Sequence, residues 1–422
     1  MSDDYEEDDI DVQWAGFLFD KRYILIKRLG YGAFASVWLT YDYDTDDYYA
    51  IKIHNRSDYD AGTKEARVLQ HFATLKNPNL MSYIRVFDYV MEASECDSEN
   101  TEDNNHLCIV MELMTCTVLD LIKSFKDGLP PEKVLYIVKQ IENALRTLHS
   151  EGYIHTDLKP ENILVKSLKS TKYKELIDEL NKKINVIKNK HTTDKKKKNK
   201  KKEGNRDKII EDICDLVMKS TGSSSYYSDS EDNIDDLISK LSIDSNTSTN
   251  SVDTNKDCVI DLDSDFHIKL ADMGTCVEPE CRRSKSIQTR YYRSPEVILK
   301  LDYSNKCDIW SFGCTIYELL TGHILFDPDK NPKRVNDDRE HLHLIMSSLG
   351  LIPPDMIAQS ELRDYVFNSN EVTIRGYTEI VYKSLLDKIY EKHDKENEII
   401  TELVKMIYEM LAIDPNRRYQ LI

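Results

Sequence analysis

Alternation of apolar and polar residues opens at Tyr23 and Leu25. It runs on through Leu29-Gly30-Tyr31-Gly32-Ala33-Phe34-Ala35-Ser36-Val37-Trp38-Leu39, predicting two strands joined as a hairpin around the glycines. Tyr49-Ala50-Ile51-Lys52-Ile53 is a third strand, with a lysine inside an otherwise apolar run. The period then lengthens. Ala66, Val68, Leu69 and Phe72 repeat as one face of a helix over 61–74, and Glu65 rides on it. Leu107 to Met111 reads as a buried strand. Residues 132–148 form an amphipathic helix whose stripe is Val134, Ile137, Val138, Ile141, Ala144, Leu145 and Leu148, stopped at Gly152. A polar turn, His155 to Asn162, lies between apolar Tyr153-Ile154 and Ile163-Leu164-Val165. Phe266, Ile268 and Leu270 alternate as a strand leading into Ala271-Asp272-Met273-Gly274. A wholly apolar helix, Ile309 to Leu320, ends at Thr321-Gly322. These stripes are core-forming surface rather than binding boxes.

Composition divides this pattern. Residues 1–15 are an acidic tail, and 166–257 are rich in Lys, Asn, Ser, Thr and Asp. Such a composition cannot build a core, so 166–257 is expected to be a largely disordered insert, with short helical pieces such as Ile209 to Val217 forming transiently. Within it, Lys195 to Lys198 and Lys200 to Lys202 read equally as a nuclear-localisation signal or as a solvated charge block, and Ser223 to Asp236 is serine-rich and acidic. A chain of 422 residues has room for two lobes or domains. Its net charge of −18 speaks against nucleic acid or an anionic membrane as partner and suits basic ones. Nine cysteines without a CxxC pair read as reduced thiols in an intracellular protein, cytoplasmic or nuclear, with no structural zinc. No signal peptide and no membrane span are expected, and the protein is expected to be a monomer.

The polar turns carry the chemistry. In His155-Thr156-Asp157-Leu158-Lys159-Pro160-Glu161-Asn162, the Asp157 carboxylate can take a hydroxyl proton. The Lys159 ammonium can neutralise a phosphate, and the Asn162 amide can ligate a hard cation. Asp272, directly after a strand and before a glycine turn, suits a second ligand to that cation. A lysine buried like Lys52 is costly unless paired. The glycines at 30 and 32 allow backbone to lie close to a ligand.

These residues together resemble the protein kinases. The turn around Asp157 is similar to their catalytic loop, with Thr156 where most have arginine, and Asp272-Met273-Gly274 to their D-F-G. Ser294-Pro295-Glu296 stands for A-P-E, and Arg418 of Asp414-Pro415-Asn416-Arg417-Arg418 is the arginine that pairs with Glu296. HTDLKPENIL, the insert directly after that strand, IQTRYYRSPE with Arg293, and LFDPDKNP followed by DDREHLHLIMSSLG resemble the SR-protein kinases of the CMGC group. The resemblance implies an α+β bilobal kinase fold: a small β-rich N-lobe at 16–111 and a larger helical C-lobe at 112–165 and 258–422, interrupted by the 166–257 insert. It implies a serine/threonine protein kinase using ATP and Mg2+. Leu29, Gly30, Tyr31, Gly32, Ala33, Phe34, Ala35, Ser36 and Val37 would cover the phosphates, and Lys52, paired with Glu65, would grip them. The backbone of Glu112 and Met114 would meet the adenine, and Asn162 and Asp272 would hold magnesium. Asp157 would accept the substrate hydroxyl proton, and Lys159 would stabilise the moving phosphoryl group. Acidic Asp327, Asp329, Asp337, Asp338 and Glu340 would dock Arg/Ser-rich protein substrates. The alternative is a pseudokinase-like scaffold, or a docking protein that works through its insert.

Overall fold

The computed structural model describes residues 14–32, 34–90, 105–125, 127–167, 173–195, 203–220, 266–279, 286–328, 337–369 and 372–421. In chain order the strands are β1 (Leu18–Phe19), β2 (Tyr23–Tyr31), β3 (Ala35–Asp42), β4 (Asp47–His54), β5 (Tyr83–Val90), β6 (Asn105–Glu112), β7 (Cys116–Thr117), β8 (Ile163–Ser167) and β9 (Phe266–Leu270). The helices used below are α1 (Tyr59–Leu75), α2 (Val118–Ser124), α3 (Pro131–Ser150), α4 (Lys174–Lys195), α5 (Glu203–Ser220), α6 (Pro295–Ile298), α7 (Lys306–Thr321), α8 (Asp337–Leu349) and, late in the chain, Glu398–Met410. The chain divides into two units.

The first unit takes in residues 1–73, 82–114 and 170–257. Its frame is a six-stranded sheet in the order β1-β2-β3-β4-β6-β5, antiparallel throughout. The expected alternation is present, but several strands are buried on both faces: β3 has only one residue that is not buried. The covering on one side comes from the insert. Leu180 and Ile184 of α4 and Ile209, Ile210, Ile213 and Val217 of α5 join Tyr23, Leu25, Tyr41 and Tyr48 in a single apolar cluster. Polar contacts fix the docking. The Tyr48 hydroxyl donates to Asn181 Oδ1 at 3.0 Å, Lys188 Nζ lies 2.8 Å from Asp46, and Arg206 lies 2.7 Å from Asp44. Between the helices, His191 Nε2 is 2.7 Å from Asp212 Oδ2.

This part of the insert therefore differs from the expectation of disorder. Its apolar residues recur at helical spacing, and the sheet's tyrosines give them a surface to bury against, which composition averaged over 92 residues conceals. The expected start of the insert also shifts, because Lys166 and Ser167 complete β8, paired with β9; the remainder outside α4, α5 and Tyr173, including Lys196 to Lys202 and Ser223 to Asp236, lies outside the described residues. The acidic tail is also shorter than expected, because Trp14 and Ala15 are buried in the same cluster.

The second unit takes in residues 74–81, 115–169 and 258–422. A small sheet, β7-β8-β9, carries the turns of interest. Helix α7 is buried from Cys307 to Thr321, so its lack of a polar face is explained by neighbours on every side. Helix α3 buries the seven-residue stripe read from the sequence. Gly322 ends α7 in the left-handed conformation, φ 69°. The Arg418 guanidinium bonds both oxygens of Glu296, at 2.5 and 2.6 Å. Its remaining donors go to the carbonyls of Ala412, Lys306 and Ile413. The six cysteines described are free thiols, and no helix among the described residues is long and apolar enough to cross a membrane.

Candidate active site

In the first unit, register brings the glycine loop and the lysine into one row. Gly30 pairs with Val37, Val37 with Lys52, and Lys52 with Ile109. A Cβ added at Gly30 or Gly32 would meet nothing within 4 Å. Neither glycine is therefore required by packing inside this unit, and bare backbone there suits close approach of a ligand. Leu29 is half-buried, Tyr31 and Phe34 are exposed, and Ala33 lies outside the described residues. Lys52 Nζ donates to both oxygens of Glu65, at 2.9 and 2.7 Å. Glu65 is 2% exposed, so this carboxylate offsets a lysine that would otherwise be buried without an opposite charge. Glu112 ends β6 opposite Tyr49, and its Oε1 accepts the Ser82 amide at 3.1 Å. Met114 is buried.

In the second unit, the β8–β9 register sets Ile163 against Leu270. Asn162 immediately precedes one and Asp272 follows the other by two, so the two proposed cation ligands come from adjacent strand ends. The Ala271 amide donates to the Asn162 carbonyl at 2.9 Å, which closes the approach. Asp272 has φ 59° and ψ 66°, a left-handed conformation that aspartate tolerates better than most residues. The sequence offers no sign of this.

The Asp157 carboxylate is held on both oxygens. Oδ2 lies 2.8 Å from Lys159 Nζ and 3.0 Å from Asn162 Nδ2. Oδ1 accepts from the Thr289 amide at 3.1 Å and from its hydroxyl at 2.7 Å. Lys159 Nζ in turn donates to Thr289 Oγ1 at 2.8 Å. Three of these residues were expected from the sequence. Thr289 was missed as a site residue, because it lies 132 positions from Asp157 and only folding brings it there.

The turn itself is tied down from below by Asp308 at the start of α7. Its Oδ2 accepts from the His155 amide at 2.8 Å and its Oδ1 from the Thr156 amide at 2.9 Å, while His149 Nε2 lies 2.8 Å from Oδ2. Burial pushes the Asp308 carboxyl up, but the His149 hydrogen bond, the electrostatic pull of the neighbouring imidazoles and the His155 backbone bond outweigh it and hold it below its ordinary value. His155 Nδ1 accepts the Asp157 amide at 3.2 Å and Nε2 faces the Ala271 carbonyl at 3.0 Å, so Nε2 carries the proton. Thr156, at φ 68°, donates its hydroxyl to the Thr275 carbonyl at 2.8 Å. The sequence places Asp308 at the head of the kinase-like stretch Asp308-Ile309-Trp310-Ser311-Phe312-Gly313, but its role under the turn was not read there. An acid at the head of a wholly apolar helix is the signal that could have found it.

The acidic stretch after Gly322 differs from expectation. Glu340 is 3% exposed and is not surface charge. The Asp338 carboxylate lies 3.9 Å from the Arg293 guanidinium, and Asp327 is half-buried. Asp329 and the Asp337 side chain are outside the described residues. The resemblance placed Glu340 in the docking set by its position in the chain, and position does not tell which face of α8 is covered; at Glu340 it is.

Comparison with known proteins agrees with this geometry. The protein kinase domain family matches residues 23–178 and 256–421. A serine/threonine-protein kinase of Acanthamoeba polyphaga mimivirus is 31% identical, over 89% of this chain and 79% of its own. Protein kinase dsk1 of Schizosaccharomyces pombe is 26% identical over 98% of this chain and 83% of its own. Serine/threonine-protein kinase SRPK of Physarum polycephalum is 27% identical over 99% and 88%. A crystal structure of a kinase domain shares the fold at TM-score 0.60 and 21% identity, covering 96% of this chain and 94% of that one. Members of this family use ATP and magnesium. The chain belongs to the protein kinase family, as a serine/threonine protein kinase of the SR-protein kinase-like branch of the CMGC group.

Proposed function

We propose that this kinase transfers the γ-phosphoryl group of ATP to serine or threonine in Arg/Ser-rich protein segments, with the residues above in specific roles. The observation that carries the role assignment is the Asp157 carboxylate fixed from both sides by Lys159, Asn162 and Thr289. A base so oriented loses little to reorganisation when it accepts the substrate hydroxyl proton. Lys159 neutralises charge on the moving phosphoryl group. Lys52, held by Glu65, grips the nucleotide phosphates, and the backbone of Leu29 to Val37 covers them. The backbone of Glu112 and Met114 meets the adenine edge. For the cation, Asn162 and Asp272 offer two hard oxygen donors, and among the described residues no group of three His, Cys, Asp or Glu could hold a metal alone. That donor set fits Mg2+, which keeps waters and takes phosphate oxygens as further ligands. When bound, Mg2+ supplies charge neutralisation at the phosphates.

The Arg/Ser preference is supported by the SR-protein kinase-like relatives and by Asp327 and Asp338, with Glu340 removed from the docking set. Electrostatic docking weakens as salt screens it, over a Debye length of ~8–10 Å near physiological ionic strength. The test is kcat and KM for an Arg-Ser repeat peptide and for a neutral serine peptide, at low and high salt, in wild type, Asp157→Ala and Asp327→Ala/Asp338→Ala. Asp157→Ala is expected to lose about 10²–10⁴-fold in kcat. The double variant is expected to raise KM for the basic peptide alone. Equal KM for both peptides leaves a kinase without this preference, and near-wild-type turnover in Asp157→Ala refutes the base.

A further inference from the structure

The strand that carries Lys52 ends in a second polar residue on the same face. Side chains two apart on a strand project to the same side, so Lys52 and His54 of β4 share that side. His54 is 3% exposed, and its Nε2 lies 3.3 Å from Glu65 Oε2, the oxygen that Lys52 meets at 2.7 Å. Neither ring nitrogen of His54 makes a hydrogen bond in the structure. A buried polar ring left this way is costly, and such exceptions call for a cause. Helix α1 also gives way to the imidazole. Gly62, one turn before Glu65, has no side chain where a Cβ would stand 2.7 Å from His54 Cγ and 2.8 Å from its Cδ2. Glycine within a helix is unfavourable, so the helix and the ring are matched at some cost in helix stability. The His54 backbone is fixed as well, since its carbonyl lies 2.9 Å from His106 Nδ1.

We propose that His54 is a positioning residue for the nucleotide grip: its imidazole steadies the Glu65 carboxylate at the oxygen that also meets the Lys52 ammonium. This inference rests on the reading of Lys52 and Glu65 as the phosphate grip. At that 3.3 Å separation a small turn of the ring would aim a protonated Nε2 at Glu65 Oε2, and the hydrogen bond so formed opposes rotation of the carboxylate away from Lys52. Lys52 then keeps one placement whether or not a nucleotide is present.

The experiment is a double-mutant cycle on the full chain, reading Kd for Mg-ADP together with KM for ATP and kcat. His54→Met fills similar volume without the N–H, while His54→Gln keeps an N–H near the Nε2 position. His54→Met is expected to weaken Mg-ADP binding about tenfold, the scale of one hydrogen bond to a charged group. His54→Gln is expected to restore most of that loss. In a Glu65→Gln background, His54→Met should add no further loss, whereas a purely structural role would cost as much there as in wild type. Should thermal melting show His54→Met unfolded, Gly62→Ala displaces the ring in its place, with Leu107→Ala, which opens the other close contact at 2.8 Å, added to remove the core clash. Unchanged Kd in the folded variant, the same loss in both backgrounds, or His54→Gln falling with His54→Met would each overturn the proposal. Lys52→Ala separates the two readings. If it leaves Kd unchanged, the grip assignment fails. If it weakens Kd while His54→Met does not, only the His54 role fails.

Discussion

Single residues here work in networks that close across long stretches of chain. Thr156 occupies the place where many kinases have an arginine that answers a phosphorylated loop residue. Its side chain is instead used locally, on the Thr275 carbonyl, and Thr275 Oγ1 returns a hydrogen bond of 3.2 Å to the His155 carbonyl. The catalytic turn and the segment after Asp272 are thus tied without a phosphate. Treating purified protein with phosphatase is expected to leave its peptide kinase activity largely intact, and loss of most activity would contradict this account. A second residue gives a pH signature. Burial pushes the Glu318 carboxyl up from 4.5 to about 7, even though the Tyr292 hydroxyl bonds it at 2.7 Å; Glu161 adds to the rise and Lys123 opposes it. Between those two pH values the folded protein holds a proton that the unfolded chain releases. The group's contribution to stability therefore falls as pH rises through the window and stays low above it, by on the order of 3 kcal/mol. Glu318→Gln keeps an acceptor for Tyr292 and removes the penalty. Its melting temperature should exceed that of wild type by more at pH 8 than at pH 5, and an equal difference at both would count against the assignment.

At the scale of elements, strands and helices follow hydrophobic period where they pack in the expected way, and depart from it where a partner is unforeseen. The stripe of α3 and the all-round apolarity of α7 were legible because each needs only its own periodicity. Helices α4 and α5 were not, since a mixed helix is stable only when its apolar stripe is covered. The cover is the sheet face bearing Tyr41 and Tyr48. The two helices are consequently part of the first unit's core rather than an appendage. Ile213, fully buried, is expected to cost about 2–5 kcal/mol when cut to alanine. Equilibrium denaturation of Ile213→Ala measures this, and a wild-type midpoint would show that α5 does not contribute to the unit's stability.

Over the whole molecule, residues far apart in sequence complete each unit. Arg418 and Glu296 are separated by 122 positions, are both buried, and form a two-pronged ion pair with every guanidinium nitrogen bonded. Removing one partner strands a buried charge, so Arg418→Ala is expected to destabilise by about 3–5 kcal/mol. Calorimetry of that variant checks it, and a shift within error of zero would mean the pair is replaced by other contacts. The kinase family was determined by the sequence alone, and the Lys52–Glu65 and Arg418–Glu296 pairs and the Asp157, Lys159, Asn162 and Asp272 set were expected from motifs that resemble that family's. Their signals are local: a few residue types at fixed spacing, or a charge set in an apolar run that demands a partner. Tertiary structure alone decided the rest. It placed Thr289 on Asp157, set Asp308 under the turn, buried Glu340, docked α4 and α5 on the sheet, and brought His54 against Glu65. Each of these depends on which face of an element meets which neighbour, and spacing along one chain does not encode that until a second surface fixes the register and covers the apolar side.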